Sequence, residues 1–130
     1  MERWFEAKRK EFDENTKSFD DLFNGWVNSF VPNLRDDLYD ALGDFSDDFV
    51  VLDCKEKYGS MVVYWNWRER PYTIDELMHI NELYDTIESI IRKYSKISYK
   101  TCVACGKPAE EYSRGWVLPF CYNCFKHGAF

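Results

Sequence analysis

The sequence predicts an α+β fold in a single domain, and three observations lead to this prediction. Large aromatic side chains recur every seven residues near the N-terminus, as they do along one face of a helix. A β-branched and aromatic segment with a glycine turn follows at 49–68. Two Cys-x-x-Cys pairs stand in the last thirty residues. The predicted order is N-terminal helices, a central antiparallel β-hairpin packed by a long helix, and a C-terminal four-cysteine module.

Length and composition agree with one folded domain. The chain has 130 residues, of which 45% are hydrophobic and 18% aromatic, a content too high for a disordered chain. Within the single domain 1–130 we distinguish three parts. They are an acidic helical part (1–48), a hairpin plus helix (49–95) and the cysteine module (96–130).

Charge is distributed unevenly along the chain. Residues 1–90 hold 21 acidic and 10 basic side chains, whereas residues 91–130 hold 2 acidic and 7 basic ones. The first part is expected to attract basic surfaces and the second to attract acidic ones. No apolar run approaches the roughly 20 residues of a membrane span, and the N-terminus has no signal-peptide pattern. These features predict a cytoplasmic protein with reduced thiols and no membrane contact.

The first segment is predicted to be helical. Its seven-residue spacing of aromatic side chains makes one buried face, which we interpret as core packing. The helix has two weak points, at 15–18 and at Gly25. The residues of the face are Phe5, Phe12, Phe19 and Trp26.

A second helix is predicted from Pro32, which suits a first turn, with Asn28 or Ser29 near its cap and Gly43 at its end. Six aspartates crowd this helix and the loop after it, and we call them the aspartate cluster. The cluster is either a solvated acidic face or a surface that meets a basic groove on a partner. Its members are Asp36, Asp37, Asp40, Asp44, Asp47 and Asp48.

The hairpin is predicted at 49–56 and 61–68, around a turn at 58–60. Alternation places one set of side chains of each strand on a shared face. Cys54 is expected to be a small buried side chain, not a ligand. The two sets are Val50, Leu52 and Cys54 in the first strand, and Met61, Val63, Trp65 and Trp67 in the second.

A third helix is predicted at 74–94, opened by a capping box between Thr73 and Glu76. It carries a helical apolar stripe and is expected to lie across the hairpin, with His79 at the edge of the stripe. The stripe consists of Leu77, Ile80, Tyr84, Ile87, Ile91 and Tyr94.

The four C-terminal cysteines form the pattern C-x2-C-x15-C-x2-C, with spacing typical of a zinc site. We predict one structural zinc ion, and Gly106 suits the tight turn after the first pair. A redox Cys-x-x-Cys, disulfides, or His127 in place of one sulfur are the weaker alternatives. An all-cysteine zinc site has no open position for water, so it performs no hydrolysis. The predicted ligands are Cys102, Cys105, Cys121 and Cys124.

Two segments resemble known proteins. CKEKYGSMVVYW resembles a strand–turn–strand of small phage-encoded proteins, and TCVACGKPAEEYSRGWVLPFCYNC resembles their C-terminal zinc module. Among these, the chain is similar to the acidic, metal-binding anti-CRISPR proteins that act against the type II RNA-guided nuclease. The resemblance implies an inhibitor in the host bacterial cell that binds this nuclease and blocks its action on DNA. The aspartate cluster would then occupy basic surface meant for nucleic acid.

The sequence bears on two other classes of function. A nucleic-acid-binding phage protein could use the basic, aromatic C-terminal module, since aromatic side chains among cations suit single strands. An enzyme is not expected, because the sequence has no nucleophile–base pair, phosphate loop or open metal site. The cations of the basic module are Arg92, Lys93, Lys96, Lys100, Lys107, Arg114 and Lys126.

Overall fold

The computed structural model describes residues 2–128, apart from the side chains of Glu2, Arg3 and Phe5. The predicted packing of Phe5 therefore lies outside the described residues. The α+β architecture is confirmed: helices precede a two-stranded antiparallel hairpin, a long helix follows it, and the four cysteines close the chain. The helices are α1 (Glu2–Asn15), α2 (Asn24–Ser29), α3 (Val31–Leu42), α4 (Ile74–Tyr99) and α5 (Tyr122–Lys126).

The strands form two separate antiparallel pairs. β1 pairs with β2 in the central hairpin, and the short β3 pairs with β4 in the cysteine module. Two 3₁₀ helices, Lys17–Asp21 and Gly43–Asp48, connect the N-terminal elements. The strands are β1 (Phe49–Lys57), β2 (Ser60–Trp67), β3 (Glu111–Tyr112) and β4 (Pro119–Phe120).

The N-terminal helix breaks at the first of the two predicted weak points. α1 ends at Asn15, and the buried Thr16 donates its hydroxyl to the carbonyl of Phe12 at 2.8 Å. Arg35 donates to the same hydroxyl oxygen at 3.2 Å, so α3 holds the break in place. Gly25, the second weak point, instead lies inside α2. The aromatic face is a core face, because Phe12, Phe19 and Trp26 are fully buried.

α3 begins with Pro32 in its first turn and ends at Gly43, both as predicted. The φ of Gly43 is +56°, a conformation that glycine adopts without strain. The predicted cap at Asn28 or Ser29 is wrong, because both residues still belong to α2. Phe30 occupies the cap position instead and provides no side-chain hydrogen bond.

A β-bulge changes which side chains of β1 are buried. Val51 pairs with Trp65 and Asp53 pairs with Tyr64, so Leu52 is the extra residue between two partners. The buried side chains are Phe49, Val51 and Cys54, and Leu52 is exposed. The prediction that Val50, Leu52 and Cys54 share one face is therefore wrong, although Cys54 is buried as expected.

The other strand follows its predicted alternation. Met61 is buried, and Val63, Trp65 and Trp67 pack against the core cluster. α4 also forms hydrogen bonds with the start of this strand: the Ser98 hydroxyl accepts from the Met61 N–H at 2.8 Å. Ser95 donates to the Met61 carbonyl at 2.8 Å. The helix thereby satisfies backbone groups that would otherwise form an open sheet edge.

α4 starts as predicted and extends five residues beyond its predicted end. The capping box is present: Thr73 accepts from the Glu76 N–H at 3.1 Å, and Glu76 accepts from the Thr73 N–H at 2.9 Å. Along the stripe, Ile80, Ile87, Ile91 and Tyr94 are buried. Leu77 and Tyr84, nearer the N-terminus of the helix, are exposed.

One buried cluster draws on all three parts of the chain. It includes Phe12 and Trp26 from the N-terminal helices, Phe49 from the hairpin, and Val103 and Phe120 from the cysteine module. The cysteine module therefore contributes to the same core as the helices.

Within residues 2–128, no helix combines the length and the apolar character needed to cross a bilayer.

Candidate metal centre

The four predicted cysteine ligands lie together. Their four sulfur atoms all lie within 4.8 Å of one another; the residues are Cys102, Cys105, Cys121 and Cys124. The Cys105 and Cys121 sulfurs are 3.5 Å apart. A tetrahedral ion with Zn–S bonds of about 2.3 Å holds its sulfurs about 3.8 Å apart. The spacing and the chemistry of these donors fit a four-coordinate metal ion such as zinc.

Each cysteine pair is positioned by its own backbone turn. In the first pair, the Gly106 N–H donates to the Cys102 carbonyl at 3.0 Å, with φ of Gly106 at +84°. The second pair straddles the start of α5, where Cys121 caps the helix. Its sulfur accepts a hydrogen bond from the Cys124 N–H at 3.4 Å. The antiparallel β3–β4 pair brings these two turns to the same point.

Hydrogen bonds around the cluster favour thiolate at one sulfur. Burial opposes ionisation of Cys102, but backbone N–H groups of Cys121, Cys105 and Ala104 outweigh it and lower its pKa to about 7. Hydrogen bonding to Cys121, together with burial, raises the pKa of Cys124 to about 12. Four thiolates at this spacing repel one another, and a bound divalent cation would offset that repulsion.

The first cysteine turn docks directly on α2. The Gly25 N–H donates to the Val103 carbonyl at 2.9 Å, and the Trp26 indole donates to the Thr101 carbonyl at 3.0 Å. A Cβ atom at Gly25 would lie 2.1 Å from the Cys102 carbonyl oxygen, and one at Gly106 would lie 2.7 Å from the Gly25 oxygen. Two glycines therefore allow the backbone of α2 to touch the backbone of the metal-binding turn. Sequence reasoning treated Gly25 only as a weak point in a helix and missed this contact.

The hairpin turn contacts the other side of the cysteine module. Glu56 accepts hydrogen bonds from the Gly59 N–H at 2.7 Å and from the Trp116 indole at 2.6 Å. A Cβ atom at Gly59 would lie 3.1 Å from the Tyr99 ring and 3.2 Å from the Val117 oxygen. The hairpin turn and the segment between the two cysteine pairs thus meet in space.

Asp48 differs from the rest of the aspartate cluster because it is buried. Its side chain is only 4% exposed and accepts hydrogen bonds from Arg68 at 2.9 Å and Arg70 at 2.8 Å. Burial opposes the charged form, but these two guanidinium groups outweigh it and hold the pKa of Asp48 below its usual value. The prediction that Asp48 belongs to an exposed partner-binding surface is therefore corrected. Through Arg68 and Arg70, Asp48 links the start of the hairpin to the segment that follows the hairpin.

The other five aspartates differ in how far they are already engaged. Asp36 pairs with Arg9 at 3.0 Å, and Asp47 pairs with Lys8 at 3.6 Å. Asp37 accepts a hydrogen bond from the Tyr94 hydroxyl and lies 3.9 Å from Lys93. The side chains of Asp40 and Asp44 are exposed and have no ion pair in the part of the chain that the structure describes.

Unlike most cations of the N-terminal part, the cations of the basic C-terminal module mostly form no ion pair among the described residues. Within the part of the chain that the structure describes, Lys93 is the member of this module that pairs with a carboxylate, that of Asp37. The other cations of the module are exposed. Near them, the Tyr99 and Tyr112 rings stack with centroids 4.8 Å apart, and Trp116 is 68% exposed. These features leave the basic, aromatic surface available.

The four-cysteine cluster is the one group of three or more candidate ligands that could hold a metal ion within residues 2–128. The chain matches no protein-family model, no curated protein and no solved structure.

Proposed function

We propose that this protein is a non-catalytic binding protein, held together by one structural zinc ion, that acts as a phage-encoded inhibitor of a host type II RNA-guided nuclease. The observation that carries the proposal is the set of four sulfurs that lie together, two of which, those of Cys102 and Cys121, belong to the buried core. Zinc bound by four cysteines has no open coordination position, so it stabilises a fold and does not activate water. A protein built in this way acts through the surface that the metal holds in shape.

The charge of the N-terminal two-thirds supports a basic protein partner. Residues 1–90 hold 21 acidic and 10 basic side chains, and most of the cations are already paired within the protein. The excess negative charge is therefore directed to solvent. An RNA-guided nuclease holds its guide–target duplex in positively charged channels, which a negatively charged protein could occupy. The resemblance of residues 50–126 to phage proteins is what specifies this nuclease as the partner.

Affinity purification tests the proposed partner. We expect the zinc-loaded protein to co-purify the nuclease from a bacterium that carries a type II system, with and without guide RNA, and to block cleavage of a target DNA in a purified reaction. The control is the variant Cys54→Ala. It removes the cysteine that lies outside the four-cysteine cluster, so it should behave as the wild type. Absence of the nuclease from the eluate, together with undiminished cleavage at excess protein, would contradict the proposal.

A nucleic-acid-binding role is the second candidate, and the unpaired cations around the Tyr99–Tyr112 stack favour it. If this role holds, the protein should bind a random single-stranded oligonucleotide at about 50 mM salt, with affinity falling steeply as salt rises. Lys96→Gln combined with Lys100→Gln should weaken that binding at least tenfold. No binding at about 50 mM salt, measured by fluorescence anisotropy, would end this candidate.

A further inference from the structure

The N-terminal half of α4 presents an apolar strip that the fold does not cover. Ile74 is 77% exposed, Leu77 49%, Met78 61% and Tyr84 49%. At about 100° per residue, Leu77 and Tyr84 lie at the edge of the buried stripe, and Ile74 and Met78 continue around the helix to the side away from the core. The Tyr84 ring also packs against Trp65, with the ring centroids 5.6 Å apart. Contiguous exposed apolar surface of this kind marks interaction sites in proteins.

Carboxylates border this strip, and most of them have no basic partner within residues 2–128. Residues 74–90 hold five acidic side chains and no lysine or arginine. Glu76 is paired with Arg70, and Glu88 accepts from the Trp65 indole at 3.2 Å. The remaining three are exposed and have no hydrogen bond or ion pair among the described residues. They are Asp75, Glu82 and Asp85.

The strip adjoins a groove between the helix and the hairpin. The groove has a volume of about 630 Å³, and its apolar lining includes Leu52, Trp67 and Leu77. Leu52 reaches this surface because the bulge in β1 turns it away from the core. Arg68 and Arg70 also line the groove, but both donate to Asp48. The Arg68 side chain is nevertheless 46% exposed, and Glu69 also lines the groove. The groove therefore presents apolar side chains beside one accessible arginine, and the unpaired carboxylates of α4 lie outside its lining, next to the apolar strip.

The aspartate cluster lacks this combination. Asp40 and Asp44 line a smaller cavity, of about 210 Å³, together with Trp4 and Lys8. The Lys8 ammonium lies 4.6 Å from the centre of the Trp4 ring, which places a cation over the aromatic surface. Apolar anchors in interfaces contribute more affinity than rim charges, which mainly raise the association rate. The observations therefore favour α4 over the aspartate cluster as the centre of an interface.

We propose that residues 74–85 of α4, together with Leu52, form the docking surface for a basic protein segment that carries apolar anchor residues. This inference rests on the proposed binding function and names its contact surface. Lysine or arginine side chains of the partner would face Asp75, Glu82 and Asp85, and its apolar side chains would enter the groove beside Leu77. The same face of a second copy is a poor occupant, because like charges would then oppose one another.

The test uses an 18-residue amphipathic helical peptide of leucine and lysine as the probe, added to the ¹⁵N-labelled, zinc-loaded protein. We expect amide shifts at 74–85 and around Leu52, and no shifts with a glycine–lysine peptide of equal charge. Leu77→Ser with Met78→Ser should weaken binding at least tenfold, as should Glu82→Gln with Asp85→Asn. The matched control is Asp40→Asn with Asp44→Asn, which removes two charges elsewhere and should change affinity less than twofold.

Zinc content and the thermal midpoint of each variant establish that it is folded, and the altered side chains are all exposed. Shifts confined to the aspartate cluster, or equal binding by all variants, would overturn the proposal. The same variants, assayed against the type II nuclease, separate the two claims. If the wild type binds the peptide at α4 but not the nuclease, only the named partner fails. If the nuclease is bound equally by the α4 variants, the docking surface fails and the inhibitor function stands.

Discussion

Removing zinc from the metal-loaded protein is expected to unfold more than its last thirty residues. Cys102, Val103 and Phe120 belong to the same buried cluster as Trp26, so loss of the metal-binding turns would open the core beside α2. Metal binding in such sites contributes on the order of 10 kcal/mol to folding. The total stability of an ordinary domain is about 5–15 kcal/mol. We therefore expect cooperative loss of near-ultraviolet circular dichroism on chelation, and its recovery with one equivalent of zinc.

Substitution of cysteines provides the matched comparison. Cys102→Ala should abolish zinc binding and the cooperative unfolding transition. Cys54→Ala should leave zinc content unchanged, because Cys54 lies in β1 outside the cluster. Burial, with the adjacent charge of Asp53, raises the pKa of the Cys54 thiol to about 12, so this thiol stays protonated at neutral pH. A fully chelated protein that keeps the unfolding midpoint of the metal-loaded form would contradict a structural role for the metal.

Gly25→Ala is expected to have the second largest effect, and its sign depends on tertiary packing. In an isolated helix, alanine is more favourable than glycine by about 1 kcal/mol. Here the added Cβ would lie 2.1 Å from the Cys102 carbonyl oxygen and 2.8 Å from the Gly106 nitrogen. Since both neighbours are backbone atoms, the metal-binding turn must move away from α2. We expect a loss of about 3 kcal/mol in the free energy of unfolding, at the upper end of overpacking effects.

The measurement is chemical denaturation with parallel competition for zinc by a colorimetric chelator. Gly25→Ala should lower the denaturation midpoint and release zinc at a lower chelator concentration. Gly115→Ala serves as the control, because its Cβ would have nothing within 4 Å and only its φ of +78° would be strained. That strain costs about 1 kcal/mol. Equal stability of Gly25→Ala and the wild type would show that α2 and the turn are not in close contact.

Elements with local signals were predicted well from the sequence. The capping box at Thr73 and the helix end at Gly43 depend on residues a few positions apart, and both are where they were expected. The bulge at Leu52 could not be predicted, because strand alternation continues in the sequence while the pairing with β2 skips a residue. The predicted face of β1 was therefore wrong up to the bulge, where Phe49 and Val51 are buried in place of Val50 and Leu52, and right after it, where Cys54 is buried.

The candidate sites show the same division. The grouping of the four cysteines was predictable, since two Cys-x-x-Cys turns have a characteristic spacing that needs no knowledge of the rest of the fold. The aspartate cluster was predicted from the density of aspartates in the sequence. That density does not indicate which aspartates pair with basic side chains of the same chain. Only the fold brings Arg68 and Arg70 to Asp48, and Arg9 to Asp36. The exposed strip on α4 was also hidden, because its apolar spacing resembles that of a core stripe.

By itself, the amino-acid sequence determined the fold class, the start of α4 at its capping box, the end of α3 at Gly43, and the identity of the four sulfurs that lie together. Each of these depends on interactions between residues near one another in the chain. The tertiary structure alone decided that α2 touches the metal-binding turn through Gly25 and Gly106. It also decided which carboxylates are already paired and which half of α4 is left uncovered. Those outcomes depend on contacts between distant segments, for which the local order of residues carries no signal.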